Sequence, residues 1–238
     1  SLRQKTRLER RDSLQEKVKD ITNKYNSVSA KARVLSAMER DFESYQKSVK
    51  LVMQEAQRGS LKNIHGPLSR LIRTEDNFAV AIEIALGAAM QQIVVDSEAD
   101  GKAAISFLKR TGGGRATFLP IAAIQGKTLQ ESGLEGCRGY VGIASELVRT
   151  DDRYRSILEN LLGRTVIVRD IDAAIMMAQK YKNRFKIVTL DGQVMNPGGS
   201  MTGGSTNKDA GILSRANELE KLTKQEKDLQ DKKLILEA

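Results

Sequence analysis

Six apolar residues at a strict seven-residue spacing, Leu14, Ile21, Val28, Leu35, Phe42 and Val49, constrain this chain more than any other feature. A companion series three or four positions on, Val18, Tyr25, Ala32, Glu39, Gln46 and Met53, is apolar at four of its six positions. Residues 1–57 contain no Gly and no Pro. An apolar period of 3.5 residues sustained over six heptads buries a narrow stripe only, as a coiled-coil seam demands and an ordinary surface helix does not. Glu39 and Gln46 put polar groups on the seam, and looser pairing is expected there.

The pattern returns at the other end with Leu219, Leu222, Leu229 and Leu236, interrupted by Glu226 and Lys233. Ser214 offers an N-cap for this second helix. Two helices packed on the surface of the intervening domain are the alternative to a coiled coil. If the rods pair with each other, the connection between them makes them antiparallel. At about 1.5 Å per residue the first extends ~85 Å and the second ~35 Å. Residues 1–30 are therefore expected to be frayed or paired with another molecule. The chain opens SLRQ and stops in mid-pattern at LILEA, which reads as a piece of a longer protein.

The middle differs in kind. Of the 19 glycines, 18 lie between Gly59 and Gly204, and all three prolines fall there too. This predicts three parts: a rod over 1–57, a globular domain over 58–206 and a second rod over 207–238. Within the domain, helix and strand signals alternate. FAVAIEIAL (78–86) reads as a helix, QIVVD (92–96) as a buried strand, Ser97 as the cap of a helix to about Arg110, and RATFLP (115–120) as a strand. YRSILENLL (154–162), TVIV (165–168), a helix capped by Asp170 to about Tyr181, and KIVTL (186–190) repeat that order. Gly87 and Gly163 stand at matching points. The fold expected is mixed α/β, of two related half-domains joined by 121–140, with the same strand order in each.

Charge and sparse chemistry narrow the function. The chain carries 39 Lys+Arg against 30 Asp+Glu, a net of +9, which favours an anionic partner such as nucleic acid. One cysteine, Cys137, forbids an internal disulfide, fits a reducing compartment, and with one histidine, His65, makes no four-ligand zinc site. No apolar run reaches the roughly 20 residues that cross a bilayer. His65, in NIHGPL, reads as a loop or packing residue. Asp151-Asp152 and Glu75-Asp76 read as turn and helix-start residues, and no acid/base set emerges.

Two glycine-rich motifs invite a nucleotide. Gly198–Ser205, GGSMTGGS, is one residue from the phosphate-loop pattern G-x-x-x-x-G-K-[ST], with Gly204 in place of the lysine. The helix that should follow directly is delayed. Gly112-Gly113-Gly114 follows a helix and precedes a strand, the reverse of a dinucleotide-binding turn, and reads as a helix C-cap. The paired glycines of 198–204 instead suit close approach of a second backbone. The densest basic run is KYKNRFK, with Lys180, Lys182, Arg184 and Lys186 around Tyr181 and Phe185. It fits salt-sensitive phosphate contacts with base stacking, or a solvated helix end with both aromatics in the core.

Rods flanking a glycine-rich α/β domain, with GPLSRLI, ALGAAMQQIVVD, RATFLP, LLGRTVIV and above all DGQVMNPGGSMTGGS, resemble the hinge of the structural maintenance of chromosomes (SMC) family, most like the bacterial condensin type. The resemblance covers essentially all of 58–206. It implies a homodimerisation domain at the apex of an antiparallel coiled coil. Each half-domain of one chain would meet the other half-domain of its partner in a ring-like body, with Gly198, Gly199, Gly203 and Gly204 at the interface. It implies no catalysis in this chain: ATP and magnesium act at head domains, which other condensin subunits also contact. A cytoplasmic, nucleoid-associated role in chromosome condensation and segregation follows, without a membrane. The family's hinges bind DNA near the hinge-to-coil junction, where bacterial relatives carry lysines after GGS. Here Thr206, Asn207 and Lys208 precede Asp209, and Arg215 and the KYKNRFK run are the other candidates. The competing readings are a nucleotide-binding module using 198–205 and a monomeric DNA-binding module.

Overall fold

The computed structural model describes residues 2–206 and 211–237. It divides into a coiled-coil unit, Ser1–Ser44 with Arg215–Ala238, and a compact unit, Tyr45–Ser214. The coiled-coil unit holds α1 (Leu2–Arg40) and most of the last helix, α8 (Ile212–Glu237). From Val18 on, the seam residues are withdrawn from water while Leu14 stays exposed: Val18, Ile21, Tyr25, Val28 and Leu35 are half-buried and Ala32 buried. On α8, Ala216 and Leu222 are buried, and Leu219, Leu229 and Leu236 half-buried. Arg215 donates to Ser44 Oγ at 2.6 Å. Leu219 lies near Ala32, and Leu236 lines a groove with Leu14 and Val18. The pair is antiparallel, as the connection between the rods implies.

Its extent differs from expectation. The first rod is not continuous: α1 stops at Arg40, and Phe42 takes a left-handed φ of 52° in the turn that follows. The break falls between Glu39 and Gln46, the two polar seam positions. Because α8 pairs backward from this break, Leu236 reaches Leu14, and the expectation that residues 1–30 lack a partner within the chain is corrected for 14–30. The continuation, α2 (Lys47–Gln57), lies in the compact unit with Ser48, Val49, Val52 and Met53 buried. Val49 and Met53, read as seam residues, are core residues there. The compact unit therefore runs 45–214 instead of 58–206.

Two successions of elements build it. The first is β1 (Ile64–Pro67), α3 (Leu68–Leu71), β2 (Ile72–Thr74), α4 (Asp76–Leu86), β3 (Ile93–Val95), α5 (Glu98–Thr111) and β4 (Phe118–Pro120). The second is β5 (Tyr140–Ile143), β6 (Val148–Thr150), α6 (Arg155–Leu162), β7 (Thr165–Val168), α7 (Ile171–Lys180) and β8 (Lys186–Thr189), extended by β9 (Val194–Met195) and β10 (Met201–Thr202). One sheet has the order β1-β3-β4; the other, β10-β9-β8-β7-β5. In each half the first strand lies antiparallel to the central one, and the central strand parallel to the next. The first pairing of each sheet carries an irregularity at a matching place, between Ile64 and Gly66 and between Tyr140 and Gly142. The halves share one strand order.

The halves are fused, not merely joined. β2 pairs antiparallel with β6, Arg73 opposite Arg149. One core takes Leu68, Ile72 and Ile82 from the first half and Ile157, Leu158, Leu162 and Ile167 from the second. Burying side chains of this size is worth about 1.5–3 kcal/mol each, so the shared core binds the halves strongly. His65 Nδ1 meets Tyr154 Oη at 2.8 Å across the same junction, and its Nε2 meets Asp96 at 2.5 Å. The half-buried His65 is a packing residue of β1.

Local signals explain most helix ends. Ser97 and Asp100 form a reciprocal capping box on α5, and Asp170 accepts from Ala173 N at 2.9 Å on α7. Each such cap contributes about 1 kcal/mol. Gly112 ends α5 in the left-handed conformation. Gly163 serves close approach: a Cβ there would fall on the carbonyl oxygens of Lys127 and Glu159. Ser214 is a corrected expectation, since α8 starts at Ile212 and the Leu213 N–H is taken at 2.6 Å by Glu83, a carboxylate on α4.

Candidate dimer interface and basic surfaces

The segment NPGGSMTGGS is a β-hairpin. β9 and β10 pair antiparallel, Met195 opposite Met201 and Val194 opposite Thr202. The connection is Asn196-Pro197-Gly198-Gly199-Ser200, closed by Gly199 N to Asn196 O at 3.0 Å and Asn196 N to Ser200 O at 2.8 Å. Proline followed by Gly198 at φ 85° is the residue pair a type II turn requires, because its third position needs positive φ. A strand lies on each side of these glycines, and α8 begins only at Ile212, so the segment lacks the helix directly behind it that a phosphate loop uses.

The second glycine pair is held from the side. Gln193 accepts from Gly204 N at 2.8 Å and donates to Gly204 O at 3.0 Å, gripping one backbone unit with both ends of its amide. A Cβ at Gly203 would fall on that Gln193 side chain, whereas one at Gly204 would meet nothing within 4 Å. Gly198 and Gly203 thus have a role within the chain itself.

What the hairpin presents is an edge. β10 ends the five-stranded sheet, and Met201 and Thr202 are both exposed, Met201 at 57%. Antiparallel ladders alternate between residue pairs that exchange hydrogen bonds and pairs whose polar groups face outward. The bond from Asn196 N to Ser200 O makes Asn196/Ser200 a bonded pair. The N–H and C=O of Met201, one residue on, therefore point away from β9 toward the open side. An exposed apolar residue on an unpaired strand is a template for another strand. In the other sheet β4 is likewise terminal, and among the described residues no counterpart of β9 stands beside it.

The structure brings the basic run to the tip of this hairpin. Gly198 N donates to Asn183 O at 2.9 Å, and Lys182 and Asn183 both adopt left-handed φ, 55° and 51°. Lys180, Lys182 and Arg184 are exposed. Lys186 is not part of that surface: its ammonium donates to Ala85 O at 3.2 Å, in the last turn of α4, where a cation complements the helix dipole. Of the two readings of its aromatics, the one that turns them into the core holds: Phe185 is buried in a core cluster and Tyr181 packs against it while donating to Ser132 O at 2.8 Å. Lys180 donates to Cys137 Sγ at 3.4 Å, and that bond raises the lysine's pKa. Arg215 belongs to the coiled-coil unit, and Lys208 lies outside the described residues. Glu83 and Gln193 escaped the sequence reading. No local pattern marked either, since Glu83 caps a helix 130 residues away.

The comparisons with known proteins agree with this architecture. The family described as SMC proteins Flexible Hinge Domain matches residues 61–178. Chromosome partition protein Smc of Bacillus subtilis (strain 168) is 42% identical over 212 residues, covering 87% of this chain and 18% of that protein. The protein of the same name from Desulfitobacterium hafniense (strain Y51) is 36% identical over 244 residues, covering 100% of this chain and 20% of the relative. The chain thus spans a minor part of these relatives' length. The crystal structure of an asymmetric dimer of the Geobacillus stearothermophilus SMC hinge domain is similar at a TM-score of 0.88 and 38% identity, over 95% of this chain and 91% of that one. The Pyrococcus furiosus SMC hinge domain is similar at 0.57 and 26% identity, over 75% and 90%. The paired half-domains, the antiparallel helices and these matches together place the chain in the SMC hinge domain family.

Proposed function

We propose that this chain is the homodimerisation hinge of a chromosome-organising SMC ATPase, and that two copies join by strand addition at the glycine hairpin. The observation that carries this is the open edge of β10, with the Met201 polar groups facing outward and its side chain exposed. In a two-fold dimer, β10 of one chain pairs with β4 of the other, and the reciprocal contact closes a ring. The half-domain repeat supports it: β4 lacks the neighbour that its equivalent β8 has in β9. The asymmetric dimer of the Geobacillus stearothermophilus hinge supports homodimerisation. Gly198, Gly199, Gly203 and Gly204 then serve the interface by shaping the hairpin and keeping its flanks bare. Sedimentation equilibrium on the chain tests it: a two-chain mass is expected, and a concentration-independent monomer overturns it.

The second part of the reading is contact with DNA, without sequence preference, in chromosome condensation and partition at the nucleoid. It is supported by the net charge of +9 and by Lys180, Lys182 and Arg184 exposed beside the hairpin tip. Phosphate contacts of this kind weaken steeply with salt. ATP hydrolysis and contacts with other condensin subunits belong, on this reading, to head domains elsewhere in the full-length protein.

A further inference from the structure

We infer that the corner where α5 meets α2 is a separate binding surface for the phosphodiester backbone of duplex nucleic acid. This rests on the nucleic-acid part of the proposed function and gives it a site that neither the hairpin tip nor the coil junction supplies. The triple glycine builds the corner. Gly113 N bonds Leu108 O at 2.9 Å, and a Cβ on Gly113 would lie 2.9 Å from Leu51 Cδ1 of α2. A Cβ on Gly114 would lie 3.8 Å from Ser48 Cβ. Bare backbone thus lets the end of α5 close onto the first turns of α2.

Four cations flank that contact in sequence. Lys109 and Arg110 end α5, Arg115 follows Gly114, and Lys47 precedes Ser48. All four are exposed, and none makes a hydrogen bond or ion pair through its side chain among the described residues. The acids of these two helices are elsewhere: Glu55 engages Arg58, and Glu98 and Asp100 sit in the first turn of α5, at its opposite end. Helix-dipole compensation accounts for Lys109 and Arg110, but not for Arg115. It works against Lys47, which opens α2, where the dipole disfavours a cation. Four unpaired like charges on the segments that a glycine turn brings into contact fit an anion with several repeated charges. The corner exposes no aromatic ring, since Phe107 is half-buried, so it lacks the stacking platform of a single-strand site and suits a duplex.

The test is fluorescence anisotropy of a labelled 40-base-pair duplex with the 238-residue chain, titrated across salt. The Lys47→Gln/Lys109→Gln/Arg110→Gln/Arg115→Gln variant is compared with Lys180→Gln/Lys182→Gln/Arg184→Gln. Four lost phosphate contacts flatten the log–log salt slope by about 3.6, and affinity at 0.1 M salt is expected to fall at least ~10-fold. A slope and affinity equal to those of the unaltered chain overturn this inference alone. No binding of duplex by the unaltered chain overturns it together with the nucleic-acid reading beneath it. Binding to phosphatidylglycerol vesicles but not to duplex, lost with the same four charges, replaces the partner class and overturns it as well. Circular dichroism checks the fold, and Lys47→Gln/Arg115→Gln, altering two exposed positions, reads a slope change of about 1.8 if the full variant fails to fold.

Discussion

Replacing Met201 by proline separates strand addition from every other role of the glycine hairpin. The Met201 N–H faces the open edge, so proline deletes a donor that the hairpin does not use. In the two-fold dimer each lost hydrogen bond removes about 1 kcal/mol net, twice over. Met201 is 57% exposed, and losing the burial of that surface costs roughly another 1 kcal/mol at each contact. The sum is about 4 kcal/mol, or ~10³-fold in the dissociation constant. The neighbouring Thr202→Pro is the contrast: its N–H faces Val194, so it weakens the hairpin itself and lowers the melting temperature. Sedimentation velocity across a concentration series gives the dissociation constant, and differential scanning fluorimetry the stability. A Met201→Pro chain that melts normally and associates within threefold of the unaltered one would refute the edge assignment.

Other substitutions test the supporting geometry. Gly163→Ala forces a methyl onto two backbone carbonyls and is expected to cost roughly 2–3 kcal/mol, lowering the melting temperature by about 5–10 °C. Lys186→Met removes the cation from Ala85 O, costing about 1 kcal/mol of stability; an accompanying loss of DNA affinity would return Lys186 to the basic surface. Asp100 has its pKa held below the ordinary 3.8, first by the Ser97 hydroxyl and then by the Asn63 amide. A depressed carboxylate contributes stability above its unfolded pKa and loses it as pH falls through the folded one. The gap in urea midpoint between the unaltered chain and Asp100→Asn should therefore be present at pH 7 and close below about pH 3.8; a constant gap removes the carboxylate from the capping account.

Much of the architecture was legible because its causes are local. Ser97 and Asp170 cap their helices with side chains three residues from the N–H groups they satisfy, and TVIV is buried along its whole length. The coiled-coil seam was readable for the same reason, since heptads need no distant information. What was not legible depends on partners far along the chain. Ser214 loses the cap of α8 to Glu83, 130 residues away, and Lys186 bonds a carbonyl 101 residues away. β2 and β6, three residues each, exist because they pair with one another. Phe42 keeps the heptad while the backbone turns, and only Glu39 and Gln46 hinted at the break. The glycines of the hairpin stand out in the sequence, but the open edge of β10 appears only once β9 and β10 are paired.

The central claim is that this chain associates with a second copy of itself through the hairpin edge. The most direct measurement is the molar mass of the 238-residue chain by sedimentation equilibrium, with and without Met201→Pro. The unaltered chain should sediment at twice 26.3 kDa and the variant at 26.3 kDa at the same micromolar loading. A mass of 26.3 kDa for the unaltered chain at every concentration, or a two-chain mass for both, contradicts it.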